Sequence, residues 1–144
     1  MSDNAGNPFE GAPIIFAYTR KMALADGVLV ELKEAPHQGF KIHTACTERV
    51  WASLIAWPFA SNKEGMQRIR EEALLRAAFL SVRTKIQMER AGVPDAQPDR
   101  CDFHVQAVIY DEGEPVTRDV QLYMMIGPGD TPQPVSTIMF VDED

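Results

Sequence analysis

Cysteine is scarce in this sequence: Cys46 and Cys101 are the only 2 among 144 residues. Two cysteines in a chain of this length do not make a disulfide framework. A domain of this size can bury roughly two-thirds of its unfolded surface, so its stability requires neither disulfides nor a metal ion. We therefore expect an ordinary hydrophobic core and no cofactor.

Long apolar runs and an excess of basic residues are also missing. No stretch approaches the ~20 apolar residues of a transmembrane helix, and the polar start, Met1–Asn4, lacks the basic and apolar regions of a signal peptide. The formal net charge of -7 repels phosphate groups. These absences predict a cytoplasmic protein that binds neither a membrane nor, directly, a nucleic acid.

A helical half followed by a β half predicts an α+β fold. We expect one domain over residues 14–144, preceded by a flexible arm over residues 1–13 that is rich in glycine, proline and polar residues. Thr19 is a suitable N-cap and Gly27 a suitable C-terminal residue for the first helix. The predicted helices span residues 19–26, 47–57 and 63–91.

The longest predicted helix has apolar residues on two adjoining stripes, which predicts that it is the central helix of the core. The first stripe contains Met66, Ile69, Ala73, Ala77 and Leu80. The second contains Leu74, Leu75, Phe79, Val82 and Ile86.

Alternating apolar and polar residues in the last third of the chain predict strands over residues 102–110, 118–126 and 135–141. Turn-forming residues separate them at 111–115 and 127–130. Consecutive strands joined by turns form an antiparallel meander, and we expect all helices to pack on one face of it. A short apolar triplet at residues 28–30 favours a strand or an extended segment.

Two Cys–His pairs are the only pattern that suggests a metal site. His43 precedes Cys46, and Cys101 precedes His104, which together make a valid tetrahedral zinc set. Residues three apart in a strand point to opposite faces, however, which argues against Cys101 and His104 as joint ligands. We therefore predict no metal site and retain these four residues as the alternative.

Acidic residues gather at the first predicted turn, at the second turn and at the chain end. Such clusters can perform acid–base chemistry, imitate a row of phosphates or simply form solvated loops. The second turn, residues 127–130, could also cradle an anion, although Pro128 removes one N–H donor. The predicted interaction residues are Asp111, Glu112, Glu114, Asp130, Asp142, Glu143 and Asp144.

Three segments taken together resemble a known family. They are residues 18–30, the helix start at Thr47 with Trp57 and Pro58, and residues 126–139 with the acidic end. They resemble a family of small uncharacterised proteins encoded on bacterial plasmids, phages and integrative elements. That family provides no activity and no catalytic residues to transfer to this chain.

The resemblance implies a non-enzymatic accessory protein that binds a larger host or defence protein, such as an inhibitor of a restriction or CRISPR system. Two alternatives stay open. One is a small enzyme or ligand-binding domain that uses His43, Cys46, His104 and carboxylates. The other is a structural homo-oligomer, such as a homodimer, joined through an unpaired strand edge.

Overall fold

Helices and strands alternate in the first half of the chain and strands alone fill the last third. The computed structural model describes residues 18–143, so the predicted arm and Asp144 lie outside the described residues. The helices are α1 (Arg20–Asp26), α2 (Glu48–Val50), which continues into a π-helical turn (Trp51–Ile55), and α3 (Lys63–Arg90). The strands are β1 (Leu29–Glu31), β2 (His43–Thr47), β3 (Arg100–Asp111), β4 (Glu114–Pro128) and β5 (Pro134–Phe140).

The five strands form one mixed sheet in the order β1-β2-β5-β4-β3. β2 pairs with β5 in parallel, and every other pair is antiparallel. The α+β class is confirmed, but the prediction of a three-stranded antiparallel meander is wrong. β2 escaped prediction because its centre, Thr44 to Cys46, is buried on both faces and therefore shows no alternation of apolar and polar residues.

The core lies between α2, α3 and one face of the sheet. Ile138 of β5 pairs with Cys46 on one side and Met124 on the other, so these three side chains share that face. Burial of each large aliphatic side chain there contributes about 1.5–3 kcal/mol. The most deeply buried core side chains include Leu32, Val50, Ile55, Leu75, Leu122, Met124 and Ile138.

α1 begins and ends where its sequence predicts. Thr19 Oγ1 accepts a hydrogen bond from the Met22 N–H, and Gly27 adopts a left-handed conformation with φ of 79°. Thr47 caps α2 in the same way, by accepting the Val50 N–H.

α1 reaches the face of the sheet opposite the core. The Arg20 guanidinium donates to Thr137 Oγ1 at 2.6 Å and contacts His43 Nδ1 at 3.1 Å. Ser136 and Thr44 face the core. Thr137 follows Ser136 and His43 precedes Thr44, so the side chains of Thr137 and His43 point to the other face of the sheet. The prediction that all helices pack on one face is therefore wrong for α1.

α3 is as long as predicted, but its two apolar stripes are not equally buried. Leu74, Leu75 and Ala78 are buried against the sheet and α2, whereas Ile69 and Leu80 are 57% and 54% exposed. One side of a straight helix can face a sheet, and α3 turns the first half of the second predicted stripe to it, whereas Ile86 of that stripe is 42% exposed and Ala77 of the first stripe packs against the edge of the core. The prediction that the first stripe lies in the core is therefore wrong.

No helix within residues 18–143 has both the length and the apolar character needed to cross a membrane.

α3 itself carries a buried carboxylate, that of Glu71. Glu71 is 5% exposed, and its Oε2 accepts the backbone N–H of Glu34 at 2.7 Å. This hydrogen bond connects α3 to the loop between β1 and β2. Burial raises the pKa of the Glu71 carboxyl, and the Glu34 hydrogen bond opposes that rise only in part.

Substitution Glu71→Gln tests this buried charge. Because the folded state raises the pKa of Glu71, folding favours the protonated carboxyl, and wild-type stability falls as pH rises above the ordinary glutamate range of about 4.3. The uncharged amide keeps the acceptor oxygen but has no such pH dependence. We expect Glu71→Gln to gain stability relative to wild type between about pH 4 and pH 7 in urea unfolding experiments. Glu89→Gln on the exposed side of α3 is the control, and identical pH profiles for Glu71→Gln and wild type would contradict the assignment.

Candidate functional site

The structure does not bring the two cysteines and two histidines of the alternative metal site together. Cys46 in β2 and Cys101 in β3 are separated by β5 and β4, which corresponds to about 14 Å at ordinary strand spacing. His43 and His104 each lie three residues from their cysteine and so point to the opposite face. Within residues 18–143, no three or more His, Cys, Asp or Glu side chains form a group that could hold a metal ion.

Cys46 is also poorly suited to act as a nucleophile. Its side chain is fully buried in β2. Burial, with smaller contributions from the charges of Glu71 and Glu143, raises the pKa of the Cys46 thiol to about 12. The reactive form of cysteine is the thiolate, so this thiol is unreactive at neutral pH.

Asp130 has a structural role at the start of α1. Its two carboxylate oxygens accept the backbone N–H groups of Arg20 at 2.8 Å and Lys21 at 3.0 Å. These hydrogen bonds lower the pKa of the Asp130 carboxyl. The turn that was predicted at residues 127–130 begins later, because Gly127 and Pro128 are paired residues of β4 and the Gly129 N–H donates to the Gln133 carbonyl. Neither glycine N–H is free there to bind an anion.

The acidic residues at the chain end are fixed in a similar way. Asp142 makes a two-pronged ion pair with Arg49 at 2.8 and 3.0 Å. Glu143 Oε2 accepts both the Thr47 hydroxyl and the Phe140 N–H at 2.9 Å. These contacts attach residues 142 and 143 to the start of α2, so both carboxylates have a structural role even though Asp142 remains exposed.

The three acids of the β3–β4 hairpin are differently placed. Glu112 and Gly113 form the turn with φ of 52° and 83°, the positive values that a two-residue type I′ turn requires. The side chains of Asp111, Glu112 and Glu114 are exposed. Within residues 18–143 none of the three makes a hydrogen bond or an ion pair through its side chain. Of the predicted interaction residues in that range, these three are the ones available to a partner.

Among residues 18–143, an uncovered groove runs between α3 and the outer edge of β3, and we call it the α3–β3 groove. Two hollows of about 530 Å³ and 580 Å³ follow one another along it. The residues of the helix wall follow one another at spacings of three or four residues, which places one continuous line of side chains over the strand edge. That line is Met66, Arg70, Ala73, Ala77, Leu80, Thr84 and Met88.

The strand wall of the groove has unpaired backbone groups. The Ile126 N–H donates to the Asp99 carbonyl, and in this register the odd-numbered residues of β3 bond to β4 while the even-numbered ones point outward. Ser81 Oγ donates to the Asp102 carbonyl and Arg70 Nη1 to the Val108 carbonyl.

The carbonyls of Asp102 and Val108 therefore already accept a hydrogen bond, and a short segment of strand edge lies between them. The N–H and C=O groups of His104 and Gln106 face outward there without a partner among residues 18–143. We call the segment from Asp102 to Val108 the open window of β3. Unpaired N–H and C=O groups on an edge are a template for another strand.

One end of the groove is aromatic. Trp57, Phe59 and Tyr110 contact one another edge to face, with ring centroids 5.3–5.5 Å apart, and Phe59 remains 46% exposed. The π-helical turn ends where the Ala56 N–H donates to the Trp51 carbonyl, and Trp57 follows directly and lies in this cluster. Aromatic side chains of this kind are enriched at protein interfaces.

A family model described as a family of unknown function, DUF6573, matches residues 5–144. The chain belongs to this family. No curated protein matches the chain, and no solved structure does. DUF6573 carries no statement about plasmids or phages, so the genetic setting implied by the resemblance stays a prediction.

Substitution Asp130→Asn separates a capping role from an interaction role. We expect it to lower the thermal unfolding midpoint at neutral pH, because a charged acceptor at the start of α1 is replaced by a neutral one. Since the pKa of Asp130 is lowered in the fold, the difference from wild type should shrink as pH falls below the ordinary aspartate range. Glu112→Gln in the exposed turn is the control and should leave the midpoint unchanged in circular dichroism melts. Equal melting of all three proteins would show that Asp130 does not stabilise α1.

Proposed function

We propose that this protein acts by binding another polypeptide in the α3–β3 groove, as a non-enzymatic protein-binding protein. The observation that supports the proposal most is the coincidence of two unsatisfied features in one place. The open window of β3 offers backbone hydrogen bonds, and the α3 line beside it offers apolar and small side chains. A strand added to β3 would use both at once.

This mode of binding is the addition of an extended segment to a sheet edge. Backbone hydrogen bonds to His104 and Gln106 would supply affinity. Alternate side chains of the incoming segment would face the α3 line, which requires them to be apolar. The exposed acids Asp111, Glu112 and Glu114 lie beyond the aromatic end of the groove and favour a basic residue at the corresponding end of the partner segment.

The resemblance to proteins of mobile genetic elements suggests which partner to seek. It favours a larger host or defence protein in the cytoplasm, so that the chain would act as an inhibitor of a restriction or CRISPR system. Binding by strand addition suits such a role because it blocks a partner without requiring chemistry.

The alternative of a small enzyme has less support. His43 and Cys46 lie in β2 but point to opposite faces, His104 lies in β3 on the far side of β5 and β4, and the Cys46 thiol is buried and protonated. A pocket enzyme requires such groups to converge.

The proposal is tested with a matched pair of substitutions at Gln106. Gln106→Pro removes the outward N–H of the open window while leaving the hydrogen bonds to β4, since prolines are tolerated on strand edges. Gln106→Ala alters the side chain and keeps the N–H. In affinity capture from a bacterial lysate, we expect wild type and Gln106→Ala to retain the same stoichiometric partner and Gln106→Pro to lose it.

A second pair of substitutions tests the helix wall of the groove, and it gives a result even if the Gln106→Pro variant does not fold. Ala73→Arg fills the groove from α3, whereas Ala25→Arg places the same side chain on an exposed position of α1. Loss of the partner with Ala73→Arg alone would support the groove. Retention of the partner by both Gln106→Pro and Ala73→Arg would refute it, and loss of biological effect with His104→Ala but not with the groove variants would favour the enzyme.

A further inference from the structure

We propose that in the isolated protein the α3–β3 groove is occupied by the same groove of a second copy, in an antiparallel dimer with its two-fold axis at Val105. This inference rests on the proposed function, because it takes the groove to be a site for polypeptide, and it names the partner that fills it. Three independent features of the groove are self-complementary about that axis.

The first feature is the open window of β3. Its two closed carbonyls belong to Asp102 and Val108, and the residue midway between them is Val105. A two-fold axis at Val105 brings His104 opposite Gln106 of the second copy, and Gln106 opposite its His104. Both residues point their backbone groups outward, so each pair exchanges two hydrogen bonds in an antiparallel ladder. The pairing ends where the carbonyls are already occupied.

The second feature is the helix line. The same axis sets the two α3 helices antiparallel and side by side above the joined strands. Ala73 and Ala77 then lie nearest the centre of the helix contact, where small side chains allow the usual axis separation of about 8–10 Å. Arg70 of one copy lies opposite Ser81 of the other, because these residues contact the two ends of the window. Met66 at one end of the line approaches Met88 of the second copy, and Met88 is 49% exposed in the single chain. Spacings of three and four residues are those of paired helices.

The third feature is the charge beside the open window. Each copy has a formal charge of -7, which opposes association in general. The carboxylates beside the window nonetheless have partners inside their own chain: Arg100 forms an ion pair with Asp102 at 2.7 Å, and the ring of His104 contacts Asp119 at 3.0 Å. Arg70 is bound to backbone carbonyls. Two acidic molecules can therefore meet at this surface without unpaired like charges in contact.

The joined structure would be a single ten-stranded sheet, because β3 is the last strand of each five-stranded sheet. It would also cover the outer edge of both β3 strands. An open sheet edge is otherwise a route to aggregation.

The first test is the mass of the full chain in solution, measured by light scattering and sedimentation over a range of concentrations. We expect a species of twice the 16.1 kDa of one chain. Gln106→Pro removes an N–H from each reciprocal pair and should weaken dimerisation about tenfold or more. Ala77→Arg places like charges against each other at the centre of the helix contact and should likewise weaken dimerisation. Gln106→Ala and Ala25→Arg should leave the dimer unchanged.

The second test fixes the axis and does not depend on destabilising variants. Val105 would lie opposite its own copy at a Cα separation of about 4.5 Å, which suits a disulfide, so Val105→Cys should crosslink on mild oxidation. Val108→Cys is more exposed but would lie about 20 Å from its copy, six residues of strand away, and should remain uncrosslinked. Crosslinking of Val108→Cys in preference to Val105→Cys would overturn the proposed axis.

The dimer and the proposed function can fail separately. A monomer at every concentration would overturn the dimer, and the function would stand if Gln106→Pro and Ala73→Arg still lost a captured partner. A dimer that is unaffected by the groove variants would place the contact elsewhere and overturn the inference. If the groove variants change neither the mass nor partner capture, both proposals fail.

Discussion

A strand at the edge of a sheet has backbone N–H and C=O groups that no neighbouring strand satisfies, and the arrangement around β3 responds to this requirement. The other edge strand, β1, spans only Leu29–Glu31, so little is left unpaired there. β3 spans Arg100–Asp111, and within the described part of the chain its edge is closed only in part, by Ser81, Arg70 and the Gln97 carbonyl. What stays open coincides with the exposed line of α3.

The position of α3 follows from the same constraint. A 28-residue helix packs one side against the sheet and must leave the rest to solvent or to a partner. Its buried side, with Leu74, Leu75 and Ala78, faces the core. Its lateral line extends over the edge of β3, where one more strand or one more helix would complete the layer. The α3–β3 groove therefore lies where the sheet and the helix α3 packed on it both end without a further strand or helix beside them.

Local signals in the sequence were sufficient for the helices and for the β3–β4 hairpin. Thr19 and Gly27 mark the ends of α1, and residues 111–115 form the turn between β3 and β4, because caps and tight turns depend on neighbouring residues. β2 and its place in the sheet were not predictable in this way. The parallel pair of His43 with Val135 joins residues that are far apart in the chain, and burial on both faces leaves no period to detect.

The candidate functional residues divide in the same way, into those that depend on local spacing and those that depend on contacts between distant parts of the chain. That Cys101 and His104 point to opposite faces could be argued from spacing, and the same argument holds for His43 and Cys46 once β2 is known to be a strand. The capping role of Asp130 was hidden because the N–H groups it accepts are about 110 residues earlier in the chain. Hydrophobic spacing predicted a stripe that shares only Met66, Ala73, Ala77 and Leu80 with the α3 line. A stripe that packs in a core also has the same period as one that contacts a partner. The interruption of that line by Arg70 and by Ala73 and Ala77 was the available signal.

The last strand of the chain lies in the middle of the sheet. β5 separates β2 from β4, so the strands made first have no link to the hairpin until residues 134–140 arrive. On a ribosome that adds roughly 5–20 residues per second, β1, β2 and α2 therefore wait several seconds for the strand that joins them to the rest. The β3–β4 hairpin can form during that wait from local contacts alone. Assembly of the sheet is thus completed from its centre, and only a nascent chain that already includes β5 can hold β1 and β2 against the β3–β4 hairpin.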